Sequence, residues 1–145
     1  MIAIDTNLLV YAHRARAPHH HASQRAIEHA AGQGRWGVAL ATLVEFWAVV
    51  THPSSEGGPS SPLDASAFLD ALVEAGAEVW EPGDGFGARL SHLAADLEVT
   101  GPRVFDLQIA LTAFERGATV MWTADAGFVK LPGLRLHNPL AARQR

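Results

Sequence analysis

The chain contains no cysteine. Disulfide bonds, thiolate metal sites and cysteine nucleophiles are therefore excluded, and a reducing compartment is expected. Long apolar runs are lacking too, because none approaches the ~20 residues that a membrane-spanning helix requires. The N-terminus carries neither a basic segment nor a small-residue cleavage site, so no secretory signal is expected. The sequence predicts a cytoplasmic protein with no membrane association.

Basic charge is also scarce. The formal net charge is −4, and Lys130 is the only lysine. A global basic signature of nucleic-acid binding is therefore missing, but a cluster of carboxylates that binds divalent cations would lower the net charge in the same way. Glycine-rich phosphate motifs are absent: there is no Gly-x-Gly-x-x-Gly after a predicted strand and no P-loop. A dinucleotide or P-loop nucleotide site is not indicated.

What is present is a globular composition, with 48% hydrophobic residues in 145. This length predicts one domain over residues 1–145 with a sizeable core. Apolar runs and periodic segments predict short strands that alternate with amphipathic helices. Such alternation is typical of a three-layer α/β/α sandwich with a mostly parallel central sheet. The segment 54–62, rich in Ser, Gly and Pro, predicts a flexible surface loop.

Four acids lie where predicted strands and helices meet: Asp5, Glu45, Asp106 and Asp125. Each has a simple structural explanation. Considered alone, Asp5 is best explained as a helix cap. Thr42 and Glu45 form the Thr-x-x-Glu pattern of a capping box, although the apolar residues around Glu45 predict a buried helix. Asp106 lies in a first helical turn, where negative charge is favourable.

Taken together, the four acids indicate a metal site. Carboxylates that converge repel one another unless a cation holds them. Oxygen-only ligation favours a hard cation such as Mg²⁺ or Mn²⁺. A site of this kind activates water and stabilises charge on a phosphoryl group, so phosphodiester hydrolysis is the predicted chemistry. We then expect Thr6 or Asn7 to cap the first helix, which would leave the Asp5 carboxylate free to face the ion.

Four segments also carry a resemblance to a known family. In chain order they are Ile4-Asp5-Thr6-Asn7, Thr42-Leu43-Val44-Glu45-Phe46, Val104-Phe105-Asp106-Leu107-Gln108-Ile109-Ala110 and Thr123-Ala124-Asp125-Ala126-Gly127-Phe128. With this order and these approximate separations, the chain resembles PIN-domain ribonucleases over essentially its whole length. More narrowly, it resembles the VapC toxins of toxin–antitoxin pairs.

The resemblance implies a PIN-like fold and metal-dependent endonucleolytic cleavage of RNA. It implies that Asp5 and Asp106 are the core ligands of Mg²⁺ or Mn²⁺. Glu45 and Asp125 would hold a second ion or the attacking water. It further implies a homodimer that is inhibited by a small VapB-like antitoxin, which inserts a segment into the acidic groove.

The resemblance assigns supporting roles to other residues. Thr6 and Asn7 match the polar pair that follows the first Asp, and Thr123 matches the residue that orients that Asp through a hydrogen bond. Arg103 precedes the late helix, where it could contact a phosphate.

The late helix differs from the family pattern at one place, and three alternative functions compete with the toxin. Gln108 and Thr112 occupy the part of the late helix where a further acid sometimes occurs, so ligation of a second ion is unsettled. A housekeeping PIN nuclease without an antitoxin, a non-catalytic PIN-like module that binds RNA or protein, and an ordinary α/β domain whose acids are caps are the alternatives. The intact set of four acids argues against the binding module, because such a module has no need of mutually repelling carboxylates.

Overall fold

The computed structural model describes residues 1–141, and residues 142–145 of the predicted domain lie outside the described part. Within residues 1–141, five strands and six helices follow one another in the order β1 (Ile2–Ile4), α1 (Thr6–His13), α2 (His20–Gly32), β2 (Trp36–Ala39), α3 (Leu40–Thr51), α4 (Pro62–Glu74), β3 (Glu78–Trp80), α5 (Phe86–Asp96), α6 (Arg103–Glu115), β4 (Val120–Trp122) and β5 (Arg135–His137). None of these helices has the length and apolarity needed to cross a bilayer.

The strands form one sheet in the order β3-β2-β1-β4-β5, and all four pairings are parallel. The chain moves outward from β1 to β2 and β3, and it then returns to place β4 on the other side of β1. Ile2 consequently pairs with both Trp36 and Val120. In open α/β sheets, ligands bind at the carboxyl ends of the strands where the strand order reverses. In this sheet that point lies between β1 and β4.

Helices cover both faces of the sheet, as a three-layer sandwich requires. Alternate strand residues point to opposite faces, so Ile4 joins the core on one side and Ala3 joins the core on the other. The first core receives helices α1 to α4 through residues that include Leu8, Ala30, Phe46 and Ala65. The second receives α5 and α6 through residues that include Leu93, Leu107 and Ala110. The predicted fold class is therefore confirmed.

The predicted capping box at the start of α3 is wrong. The helix begins at Leu40, directly after β2, and Ala39 is its N-cap residue with an extended backbone. Thr42 lies inside the first turn, where its fully buried hydroxyl has no hydrogen-bond partner among the described residues. Glu45 therefore does not close a capping box, because the N-cap residue of the helix is Ala39 and not Thr42.

The expectation that α3 is buried all round is also wrong. Phe46 and Val50 are fully buried, but the opposite side of the helix is open. Val44 is 64% exposed and Trp47 is 38% exposed, and Glu45 is exposed as well. Neighbouring helices and the sheet cover α3 on one side only, so the other side presents an apolar surface to its surroundings.

The predicted flexible loop, residues 54–62, is held near the end of α1 by several hydrogen bonds, most of them from one guanidinium. Arg14 donates to the carbonyl oxygens of Val50 at 2.9 Å and Gly58 at 2.6 Å, and to the hydroxyl of Ser55. Each of these bonds satisfies a polar group that a loop would otherwise leave to water. The Arg14 contacts therefore constrain a segment whose composition alone indicates mobility.

Helix α5 ends in a Schellman motif with an unusual residue. The Val99 N–H bonds to the Ala94 carbonyl at 2.9 Å, and the Glu98 N–H bonds to the Ala95 carbonyl at 3.1 Å. Glu98 occupies the left-handed position of this motif, with φ of 54°. Glycine is the usual residue there because a Cβ atom makes this conformation costly by about 1–2 kcal/mol.

Glu98→Gly is therefore expected to stabilise the protein. Relief of the left-handed strain should outweigh the extra chain entropy of glycine and raise the free energy of unfolding by about 0.5–1 kcal/mol. Urea denaturation monitored by circular dichroism measures the change, with Glu98→Ala as the control that keeps the Cβ atom. Lower stability for Glu98→Gly than for Glu98→Ala would contradict the assignment of strain.

Candidate active site

Asp5 directly follows β1 and is the N-cap residue of α1. Its Oδ1 accepts the Thr6 N–H at 2.8 Å, and its Oδ2 accepts the Thr123 hydroxyl at 2.7 Å. The expectation that Thr6 or Asn7 would be the cap is wrong, because the extended backbone of Asp5 brings its own carboxylate over the first turn. The side chain is only 5% exposed. One carboxylate therefore caps the helix and also faces the end of β4.

Thr123 connects Asp5 to the segment that carries Asp125. Besides donating to Asp5, its hydroxyl accepts the Asn7 side-chain N–H at 3.2 Å and the Asp125 backbone N–H at 3.0 Å. A hydroxyl has one donor and two acceptor positions, so its hydrogen-bonding capacity is filled. Asn7 completes the link by accepting the Ala124 N–H at 3.1 Å. The hydrogen bond that the resemblance implies between Thr123 and the first Asp is thus present.

The other predicted acids approach Asp5 from separate elements. Asp106 lies half-buried in the first turn of α6, and Glu45 is exposed on α3. Both carboxylates are close enough to raise the pKa of Asp5. Asp125 is exposed beyond β4, and its charge raises the pKa of Asp106. The four predicted acids therefore share one electrostatic neighbourhood at the carboxyl edge of the sheet.

The pKa of Asp5 is the most strongly shifted of these, raised from 3.8 to about 6. Burial is the largest cause, and the charges of Glu45 and Asp106 add to it. The hydrogen bonds from Thr123 and the Thr6 N–H act in the opposite direction. The folded chain therefore holds Asp5 in an environment that disfavours its negative charge.

Burial also raises the pKa of Asp106, as do the charges of Asp125 and Glu45. Arg103 is the group that lowers the pKa of Asp106. Its guanidinium donates to the Gly127 carbonyl at 2.8 Å, which ties the start of α6 to the turn after Asp125. Arg103, predicted to contact a phosphate, therefore lies beside the acids.

The residues fit a divalent cation in donor type, sign and location. All four acids offer oxygen ligands, and the environment of Asp5 lacks the positive charge that a bound ion would supply. In residues 1–141, however, no three Asp, Glu or His side chains are close enough together to form a ready-made metal site. Ligation by the full set would therefore require the exposed side chains of Glu45 and Asp125 to turn inward.

Two depressions beside the acids were not predicted from sequence. An apolar groove of about 530 Å³ between α3 and α6 is lined by residues that include Leu40, Val44, Glu45 and Phe105. A recess of about 520 Å³ lies on the side of Asp125 and includes Lys130. Nothing in the sequence indicates that Phe105 is exposed. Lys130, as the only lysine, could have been singled out from the sequence as a candidate contact.

Comparison with known proteins gives the family. The PIN domain model matches residues 2–134. The chain therefore belongs to the PIN-domain family.

Its curated relatives include Ribonuclease VapC43 of Mycobacterium tuberculosis, 34% identical over 97% of this chain and 96% of the relative. Ribonuclease VapC48 of the same species is 28% identical over 94% and 96% of the two chains. These similarities place the chain with the VapC ribonucleases within the PIN family.

Solved structures share the fold. The crystal structure of VapBC2 from Rickettsia felis, bound to a DNA fragment from its promoter, matches with a TM-score of 0.68 at 22% identity and covers 95% of this chain and 98% of that chain. Mycobacterium tuberculosis VapC20, described as a sarcin–ricin loop cleaving toxin, matches with a TM-score of 0.68 at 13% identity and covers 88% and 92%. Both confirm the PIN-like architecture.

Asp5→Asn should stabilise the metal-free protein in a pH-dependent way. Because the pKa of Asp5 is raised in the folded state, the folded chain binds a proton that the unfolded chain has released between about pH 4 and 6. The wild type therefore loses stability across this range, and the loss stays constant above it. In EDTA at about pH 7, the variant should be more stable by up to about 3 kcal/mol.

Urea denaturation of both proteins at several pH values measures this difference. The advantage of Asp5→Asn should shrink towards zero at about pH 4, where the carboxyl is protonated in the folded state. A stability loss of equal size at every pH would mean that the cap and the Thr123 bond dominate, which contradicts the account of an electrostatically unfavourable Asp5.

Thr123→Val should weaken the junction of β1 and β4. The variant keeps the side-chain shape and removes the bond to a charged group, so the free energy of unfolding should fall by about 2 kcal/mol at neutral pH. The pKa of Asp5 should rise further, which carboxyl NMR titration measures. Thr123→Ser, which retains the hydroxyl, is the matched control, and equal stability for the two variants would count against the role of the hydroxyl.

Proposed function

We propose that this chain is a metal-dependent endoribonuclease that acts as the toxin of a VapBC-type toxin–antitoxin pair. The observation that carries the proposal is the approach of Asp5, Glu45, Asp106 and Asp125 to one edge of a PIN-family sheet. The 34% identity to Ribonuclease VapC43 over nearly the whole chain supports RNA as the substrate. A housekeeping nuclease has no comparable support, since the relatives at this similarity are VapC ribonucleases.

In this proposal Asp5 and Asp106 are the core ligands of Mg²⁺ or Mn²⁺. Both are more buried than the other two acids, which suits ligands that must stay fixed. Glu45 and Asp125 are exposed, and they would hold a second ion or orient the attacking water. The bound cation would activate water and stabilise the charge that develops on the phosphoryl group.

The remaining polar residues position this centre. Thr123 holds one oxygen of Asp5, while Asn7 bridges Thr123 and the backbone of Ala124. The orientation of the Asp5 carboxylate matters, because residues that orient a metal ligand typically contribute 10–100-fold to metal affinity or activity. Thr6 contributes its backbone N–H to Asp5.

A small antitoxin is the proposed protein partner. The apolar groove between α3 and α6 contains Glu45 together with exposed Val44 and Phe105. A segment that fills this groove would therefore also cover Glu45, one of the four acids. Homodimerisation is proposed as well, supported by the exposed apolar side of α3. A short open reading frame directly upstream that encodes a small DNA-binding protein would support the toxin assignment, and a lone gene would count against it.

Asp5→Asn and Asp106→Asn should each abolish RNA cleavage. Loss of a core ligand should cost at least about 100-fold in rate, more than loss of an orienting partner. The assay follows cleavage of total cellular RNA with Mg²⁺ or Mn²⁺ present, and EDTA should stop the wild type reversibly. Asp70→Asn, a matched change at an exposed position on α4, should cleave like the wild type.

A readout that does not depend on activity accompanies this assay. Mn²⁺ should raise the thermal midpoint of the wild type and of Asp70→Asn, because an ion that binds only the folded state stabilises it. It should leave the midpoint of Asp5→Asn unchanged. Undiminished cleavage by folded Asp5→Asn would refute the proposed centre.

A further inference from the structure

A recess lies beside the acids on the side of β4. It is bounded by the connection between α5 and α6, residues 97–100, and by residues 126–130 after Asp125. We call it the α5–α6 recess. Its volume of about 520 Å³ lies within the roughly 300–1,000 Å³ of small-ligand sites, enough for a nucleotide unit.

Two cationic side chains line this recess, Arg103 and Lys130. Both residues are exposed. Lys130 makes no hydrogen bond or ion pair within residues 1–141. Arg103 is anchored through one nitrogen to the Gly127 carbonyl, and its other guanidinium nitrogens remain available to a ligand.

Four other arginines of the described chain make structural contacts, and one of them, Arg116, donates to the Glu81 carbonyl. Arg35 pairs with Glu78, and Arg89 pairs with Glu115. Arg14 holds the loop after α3. Lys130 has no contact of this kind in residues 1–141, and Arg103 uses only one of its guanidinium nitrogens for one, in a chain whose net charge is −4.

The recess is continuous with the acids through the turn after β4. The Gly127 N–H donates to Asp125 Oδ1 at 2.8 Å, and the Gly127 carbonyl accepts from Arg103 at 2.8 Å. One residue therefore joins the carboxylate to the cation. On the other side of the acids lies the apolar groove that contains Glu45 and Phe105. A polyanion would therefore meet positive charge in the recess, whereas among the described residues the only charged side chain that lines the groove is that of Glu45.

We propose that the α5–α6 recess is the subsite that binds the RNA backbone next to the cleaved phosphodiester, with Lys130 and Arg103 as its phosphate ligands. This inference rests on the proposed ribonuclease function and adds the side from which the strand is held. Cations here offset the repulsion between four carboxylates and a phosphate chain, which would otherwise oppose binding. Glu98, also in the recess, reduces its positive charge.

Binding of a labelled single-stranded RNA of mixed sequence tests the subsite. Fluorescence anisotropy is measured with the full chain in EDTA, where cleavage does not consume the probe. Lys130→Ala should weaken binding roughly threefold to tenfold and lower the slope of log affinity against log salt by about 0.7, as expected for one lost phosphate contact. Arg103→Ala should weaken binding as well, and Arg103→Lys should recover part of the loss.

Two further variants separate a local subsite from general electrostatics. Arg135→Ala removes the same charge from an exposed residue at the amino end of β5, away from the carboxyl ends of the strands where the acids lie. The affinity of this variant for RNA should differ from that of the wild type by less than about twofold. Glu98→Gln removes a negative charge from the recess and should strengthen binding. In cleavage assays with Mg²⁺, Lys130→Ala should raise the KM for RNA, relative to the wild type, by a larger factor than it lowers kcat.

The outcomes distinguish this inference from the proposed function. If the wild type cleaves RNA but Lys130→Ala and Arg103→Ala bind no more weakly than Arg135→Ala, the subsite is refuted and the nuclease stands. If the wild type neither binds nor cleaves RNA with Mg²⁺ or Mn²⁺, the proposed function fails and the subsite fails with it. A selective loss in the two recess variants, with the opposite change in Glu98→Gln, supports the subsite.

Discussion

The buried carboxylate of Asp5 is the constraint on which the rest of the structure depends. It stands where the strand order reverses, and the Thr123 hydroxyl holds it at 2.7 Å across the junction of β1 and β4. The charged side chains near it are those of other acids, so burial and repulsion both disfavour its ionised form. The folded chain therefore carries an electrostatic cost at Asp5, which the proposed bound cation would relieve.

Around this centre the surface divides into two regions of different chemistry. On one side, α3 and α6 leave an apolar groove that contains Glu45 and Phe105. On the other, the α5–α6 recess carries Arg103 and Lys130. The first region suits a protein segment and the second suits a phosphate backbone. If both proposals hold, this division would let one acidic centre serve an RNA substrate on one side and an antitoxin segment on the other.

The sequence predicted the sheet and the approach of four acids to one edge of it, because both depend on local patterns: apolar runs, and acids at strand–helix junctions. The role of these acids as metal ligands stays a prediction. It failed where a neighbouring element decides the outcome. The Thr42 pattern predicted a cap, but β2 runs directly into α3 and moves the helix start to Leu40. The loop at 54–62 is restrained by Arg14, a residue distant in sequence. The recess forms between two loops, residues 97–100 and 126–130, that are distant in sequence, so no local pattern predicts that they lie together.

The most direct test of the central claim is a crystal structure of the full chain soaked in Mn²⁺, with the ion located by its anomalous scattering. The account predicts an ion bound to Asp5 and Asp106 at about 2 Å, with Glu45 and Asp125 turned towards it. Carboxylates that remain apart with no ion between them at saturating Mn²⁺, or an ion bound elsewhere only, would contradict it.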